Sequence, residues 1–427
     1  MTAQGGWPPP DLSPRPRPPG GAHVAPPEPD ASRPYNRLMV AAALVLAGLG
    51  AAVLVQALLR AGEPGSASQA GWAVEDRGNS RRLAGDGRHV CSTTADQVLY
   101  CVDAETGEEL FSRQLDESAV TSPALAAGRV LVAGTDVGER GTLYALTLQG
   151  DELWQAPIDA PGDRRMAVVD DVVVAVSGEF VAGELVGIDL TSGAVLWRAY
   201  SGADAGEPHV VSSSAFTDGV RVYASIVAEN PFVPGGASGH VVAVDPRSGA
   251  ELWRSPPLPG ITPAAGLGAV AFSDGGDAVA VLMPGLPAQE AAMPGQVAVL
   301  DAATGEVRWD VPVADRAAGM AHVTGLTVVV DGGEMRAYDG AGSQVWAVAV
   351  PGRDAEASRG ELSAVLPAAG RLVLAGRDVY AVDPGNGEAE LIAESGATSD
   401  VVVAGGHLVV AGASALSGVP MDEIRPV

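Results

Sequence analysis

Ala243-Val244-Asp245-Pro246-Arg247-Ser248-Gly249-Ala250-Glu251-Leu252-Trp253 reads as a short apolar strand, an Asp-x-x-Ser-Gly turn and a second strand that reaches a large aromatic ring. The phrase recurs. Asp103 to Gly107 leads to Phe111, Asp189 to Gly193 leads to Trp197, Asp301 to Gly305 leads to Trp309, and Asp383 to Gly387 leads to Leu391. In each of these the large apolar residue falls eight positions after the Asp. Two shortened copies, Thr147 to Trp154 and Asp339 to Trp346, place it seven positions on. The chain therefore carries seven copies of one hairpin.

Turn chemistry explains the residue types. An Asp side chain accepts hydrogen bonds from the backbone just after it, Gly supplies the positive φ of a tight reversal, and a Ser or Thr hydroxyl caps the turn. A small residue stands two places before the Asp, as Ala243, Gly187, Ala337 or Ala381. A ring that returns in register once per repeat is expected to pack between successive repeats, with a partner for its indole N–H. Phe111, Trp154, Trp197, Trp253, Trp309 and Trp346 are thus read as packing residues rather than a ligand platform.

The ring positions lie 43, 43, 56, 56, 37 and 45 residues apart, a period that suits four strands per blade of a β-propeller. The stretch Val210–Pro256 shows the plan of strand, turn, strand, loop, strand, Asp turn and strand. After Leu391 only the strands near Asp400–Ala404 and His407–Ala411 and a weak terminal segment remain. An incomplete blade would leave an open edge, which a ring does not tolerate. Trp72-Ala73-Val74, ahead of the first full repeat, can supply the missing outer strand. The expected fold is all-β, a propeller of about eight four-stranded blades over residues 71–427, with seven as the alternative.

Composition excludes some functions. The net charge of −26 opposes the phosphate neutralisation on which nucleic-acid binding depends. All 26 basic residues are Arg, which with the abundant Ala, Gly and Val reads as a GC-rich coding bias of actinobacterial type. Cys91 and Cys101 flank a hairpin turn near Ala95 and Asp96 with equal parity, so their side chains share one face. A cross-strand disulfide is expected, with two buried thiols as the alternative.

Residues 1–37 are rich in Pro and Gly and poor in aliphatics, the composition of a disordered tail. Residues 38–59, Leu38 to Leu59, are apolar except for Gln56 and would span about 33 Å as a helix, enough to cross a bilayer. A signal peptide has a shorter core behind a short basic start, so the run is read as an uncleaved anchor. Residues 60–70 then form a linker. Basic residues flank both ends of the span; the short tail, the expected disulfide and the acidic propeller place the tail in the cytoplasm and the propeller outside the plasma membrane.

The motif Ala-x-Asp-x-x-Ser/Thr-Gly-x-x-x-Trp resembles the repeat of the pyrroloquinoline-quinone-type β-propellers. Ala243, Asp245, Ser248, Gly249 and Trp253 match it in full. That family includes quinone-dependent dehydrogenases and non-enzymatic scaffolds, among them the propeller lipoprotein of the outer-membrane β-barrel assembly machinery. The dehydrogenases imply a disulfide between adjacent Cys residues, a Ca²⁺ held by Glu, Asn and Asp, and a catalytic Asp. Here no two Cys are adjacent, and no acidic cluster has Ca²⁺ loop spacing. The six His residues are scattered, and neither a Gly-x-Ser-x-Gly elbow nor a phosphate loop occurs. No catalytic residue, metal ligand or cofactor is expected.

The two longest repeats owe their length to Glu229–Gly239 and Met283–Gly295, both between the second and third strands of their blades. Phe232, Val233, Met283, Leu286 and Met293 would form an apolar rim stiffened by Pro, or fold back over the ring. The expected role is a membrane-anchored extracytoplasmic scaffold that binds a protein partner, in cell-envelope assembly. The alternatives are a quinone-dependent oxidoreductase and a sensor that reads a small molecule in the channel.

Overall fold

The computed structural model describes residues 71–424 apart from 76–79, 116–118, 136–139, 160–164, 179–182, 201–208, 212–213, 229–238, 259–260, 262–270, 275, 284–294, 314–316, 332, 352–363, 377, 395–397, 413–414 and 423. The expected tail, membrane helix and linker lie outside the described residues, among which no helix is long and apolar enough to cross a membrane.

The strands form eight antiparallel sheets, each a blade of a β-propeller. Blade 1 runs from its inner strand outward as Ser80–Gly85, His89–Thr94, Val98–Asp103 and Glu109–Gln114. Blades 2 to 7 repeat that order along the chain. In blade 2 the inner strand is broken into Ala119–Val120 and Ala124–Ala126, with Pro123, which has no N–H for the ladder, in the gap. Blade 8 takes Thr398–Ala404, His407–Gly412 and Ala415–Pro420 from the end of the chain. Its outer strand is Trp72–Glu75, paired with Ala415–Pro420 through Trp72 opposite Gly418. The expected closure of the ring by the first strand is thus met.

Burial follows from this stacking. Each blade is covered on both faces by its neighbours, so second strands such as Val172–Ser177 are buried at every position and read as continuous apolar runs. Outer strands alternate, as Glu152–Asp159 does with Trp154, Ala156 and Ile158 inward. Among the described residues there are eight core clusters, one between each pair of adjacent blades. The cluster that joins the last blade to the first contains Leu83, Val90, Tyr100 and Val102 from blade 1 and Ala404, Val409, Ala411 and Leu416 from blade 8. Inner strands of adjacent blades also pack on one another around the centre, Ser80–Gly85 on Thr398–Ala404 and Ala271–Asp274 on Ala317–Val323.

Candidate functional site

The repeated Asp turns hold the blades together. Asp189 Oδ1 accepts from the N–H groups of Thr191 and Ser192 and from the Ser192 hydroxyl, and Asp245 and Asp301 are arranged alike. The turn glycine meets two demands: Gly193 has φ +73°, and a Cβ there would strike the ring of Trp154 from the preceding blade. The ring of each such blade lies on the next blade's turn, and its indole N–H donates to the carbonyl of the residue after the Asp. Trp154 donates to Leu190 (2.9 Å), Trp197 to Pro246 (2.9 Å), Trp253 to Ala302 (2.9 Å) and Trp346 to Pro384 (2.8 Å). Trp72 of blade 8 donates to Ala104 of blade 1 (2.9 Å) and completes the circle.

The two shortened turns break this rule in different ways. The turn that begins at Thr147 receives Phe111, which has no N–H to satisfy. The turn at Asp339 receives Trp309, whose Nε1 is buried with no hydrogen-bond partner among the described residues. Leu391 departs further. The structure sets Ala381 opposite Glu390 and Leu391 opposite Tyr380, and Leu391 is 45% exposed rather than packed between blades. Blade 8 has no hairpin turn between its third and fourth strands, because its fourth strand comes from the other end of the propeller. A ring at blade 7 would have no turn to lie on.

The candidate binding residues fare unevenly. Phe232, Val233, Leu286 and Met293 lie outside the described residues. Met283 does not join an exposed rim: it is the last residue of the strand Ala278–Met283, pairs with Gln296, and is fully buried with Trp253 and Ile261 between blades 4 and 5. The strand runs one residue further than the Pro-rich sequence implies, and its parity turns Met283 inward. The ends Ala228 and His240 of blade 4 and Met283 and Gly295 of blade 5 are the same kind of connection and open toward one face of the ring. Cys91 and Cys101 are paired across neighbouring strands and joined as a disulfide, fully buried beside Phe111.

Charge on the Asp-turn face is held in local pairs. Arg308 bridges Asp277 (3.0 Å) and Asp301 (2.8 Å), and its hydrogen bond, with those from Ala303 and Thr304, pulls the Asp301 carboxyl down to about 2. Arg88 bonds Asp103 (2.9 Å) and, with the N–H donors of Glu105 and Thr106, holds its carboxyl below the usual carboxylate range. Asp189 and Asp245 are lowered chiefly by the hydroxyls of Ser192 and Ser248. These carboxylates are occupied in turns. Among the described residues no group of three or more His, Cys, Asp and Glu side chains is placed to hold a metal ion.

The inner wall holds a different kind of carboxylate. Asp400, on the inner strand of blade 8, is buried; its Oδ2 accepts from Leu83 N–H of blade 1 (2.9 Å) and its Oδ1 from Val401 N–H (2.9 Å). Burial pushes its carboxyl up, against the pull of Arg165, of those two N–H donors and of Arg82. Sequence reading missed this residue, although an Asp directly ahead of the apolar run Val401–Val403, on a strand, was a visible signal.

Eight blades with one ring-on-turn contact repeated between them define a propeller of the pyrroloquinoline-quinone-like repeat class. The chain matches the family described as outer membrane protein assembly factor BamB over residues 55–230 and 237–418, and it belongs to that family. The crystal structure of BamB from Moraxella catarrhalis aligns at 17% identity over 69% of this chain and 79% of that one, with a TM-score of 0.49. Sqt1 from Saccharomyces cerevisiae aligns at 12% identity over 82% of this chain and 99% of its own, with a TM-score of 0.57. The quinohemoprotein alcohol dehydrogenase ADHIIG from Pseudomonas putida HK5 aligns at 16% identity over 81% and 72%, with a TM-score of 0.56. At such identities the likeness is one of fold. No curated protein matches the sequence.

Proposed function

We propose that this propeller is a protein-binding scaffold of cell-envelope assembly, held at the outer surface of the plasma membrane by residues 38–59. The observation that carries this reading is the family match, which runs through both halves of the ring and belongs to an outer membrane protein assembly factor. The Cys91–Cys101 disulfide supports an oxidising compartment, since thiols are kept reduced in the cytosol. The apolar run Leu38–Leu59 supports the anchor.

The partner docks on the face onto which the strand ends of blades 4 and 5 open, through Phe232, Val233, Leu286 and Met293. Met283 is left out because it is core. The test is affinity purification of the full chain from crosslinked membranes, with and without Ser in place of Phe232, Leu286 and Met293. Loss of specific co-purifying proteins from the triple variant is expected. An unchanged set of partners would overturn the docking face, and fractionation of the chain with cytosolic proteins would overturn the anchor.

A further inference from the structure

The outer strand of each blade leaves one edge unpaired among the described residues, a row of backbone N–H and C=O groups on the rim of the ring. Such a row is a template for another extended chain, and charged side chains or a Pro on the strand prevent that pairing. Seven of the eight outer strands carry such a guard: Arg113 in blade 1, Pro157 in blade 2, Arg198 in blade 3, Arg254 in blade 4, Pro312 in blade 5, Glu394 in blade 7 and Glu75 in blade 8. Gln344–Ala349 of blade 6 has neither a charge nor a Pro along its six residues. A β-bulge does not set it apart, because the extra residue, here Val345, is common to the outer strands of blades 1 to 6.

This edge is open. Gln344, Val345, Ala347 and Ala349 are exposed, Val345 to 50%, and among the described residues the strand pairs only with Glu334–Tyr338 on its inner side. Six residues make an edge of about 20 Å, the length of an ordinary strand. The two sides of an added strand would meet different surroundings. On one side Trp346 and Val348 lie against Gly387 in the Asp turn of blade 7, where a Cβ would come within 2.8 Å of Val348 Cγ2, and the next residue, Glu388, is exposed. On the other side Ala347 and Ala349 are small and exposed, which leaves room for large apolar side chains. Alternation along a strand therefore fits a segment with basic residues toward Glu388 and apolar ones toward the two Ala residues. A second copy of this chain lacks that pattern at its own edge, and its net charge of −26 opposes association with the first.

We propose that the outer edge of blade 6, Gln344–Ala349, takes an extended segment of a protein partner as a fifth strand, a segment in which basic and apolar residues alternate. Main-chain hydrogen bonds hold it, and Glu388, Ala347 and Ala349 select its side chains. The inference goes beyond the docking face at blades 4 and 5 and needs neither that face nor the membrane anchor.

The test is fluorescence anisotropy of the full chain in detergent with a labelled peptide of alternating Arg and Val, beside the same peptide N-methylated at every second residue in either frame. Saturable binding of the unmethylated peptide is expected, with loss in at least one methylated frame, since methylation removes the N–H groups that pair with the edge. Ala347→Arg gives blade 6 the charge that other edges carry and should weaken binding about tenfold or more. Ala347 is exposed, so this variant keeps the fold. Gln155→Arg, the same change at the matching place in blade 2, should bind as the parent does. No saturable binding, full binding of both methylated peptides, undiminished binding by Ala347→Arg, or an equal loss in Gln155→Arg overturns the proposal. Sedimentation of the chain alone reads the other occupant: a dimer that Ala347→Arg dissociates would give the edge to a second copy and overturn the partner.

Discussion

Trp253→Phe and Trp309→Phe remove the same atoms from equivalent places between blades, and the outcome is expected to differ because of one N–H. Both rings are buried to the same extent, 8% exposed, and both lie on the Asp turn of the next blade. Exchange of Trp for Phe gives up roughly 40 Å² of apolar contact, about 1 kcal/mol at ~25 cal/mol per Å². At Trp253 the hydrogen bond to Ala302 is lost as well, worth about 1 kcal/mol, and a buried carbonyl is left without its donor. Trp253→Phe should therefore cost about 2–3 kcal/mol. At Trp309 the donor has no partner among the described residues, and its removal returns the roughly 1–3 kcal/mol that burial of such a group costs. Trp309→Phe should leave stability within about 1 kcal/mol of the parent or raise it. Equilibrium urea unfolding followed by circular dichroism reads both without relying on the indole fluorescence that the variants change. Equal losses of midpoint in the two variants would refute the reasoning, since they would show that the Trp309 N–H is satisfied after all.

Two further outcomes are expected. Replacement of Cys91 and Cys101 together by Ala removes a crosslink that spans ten residues and should lower unfolding stability by about 2–3 kcal/mol on chain-entropy grounds, read by the same urea series. Acid should loosen the Asp turns: the carboxyls of Asp103, Asp189, Asp245 and Asp301 lie below their unfolded value, so their contribution is fully present above about pH 4 and is lost as pH falls toward 2. The unfolding midpoint should drop over that interval, and Asp301→Asn should flatten the drop; a midpoint independent of pH there would contradict it.

Most of the ring was legible because the repeat carries its own geometry. The Asp, the hydroxyl residue and the Gly specify a turn locally, and the count from Asp to Trp places the ring where the next turn will be. Leu391 shows where counting stops. Whether a ring belongs there depends on a turn in blade 8 that the chain cannot form by itself, so the Leu follows the same spacing as the Trp residues yet lies in the open. Met283 was misplaced for a smaller reason: the Pro at 284 invites a loop one residue too early, while pairing with Gln296 keeps Met283 in the strand. The open edge of blade 6 was hidden because it consists in what seven other strands carry and this one lacks. Those strands become comparable only through the pairing that places each at the rim of its blade.

Closure of blade 8 by Trp72–Glu75 joins residues far apart in time as well as in sequence. The closing strand leaves the ribosome early, and Gly418, which it must face, follows about 350 residues later. At roughly 5–20 residues per second the strand waits on the order of 20–70 s before its partner exists. During that interval Trp72 has neither Gly418 behind it nor, until blade 1 is made, the Ala104 carbonyl to bond. The blades can stack in order as they emerge, but the circle closes only when the last of them is complete. Any segment that paired with Trp72–Glu75 in that time would compete directly with Ala415–Pro420 for the protein's own first strand.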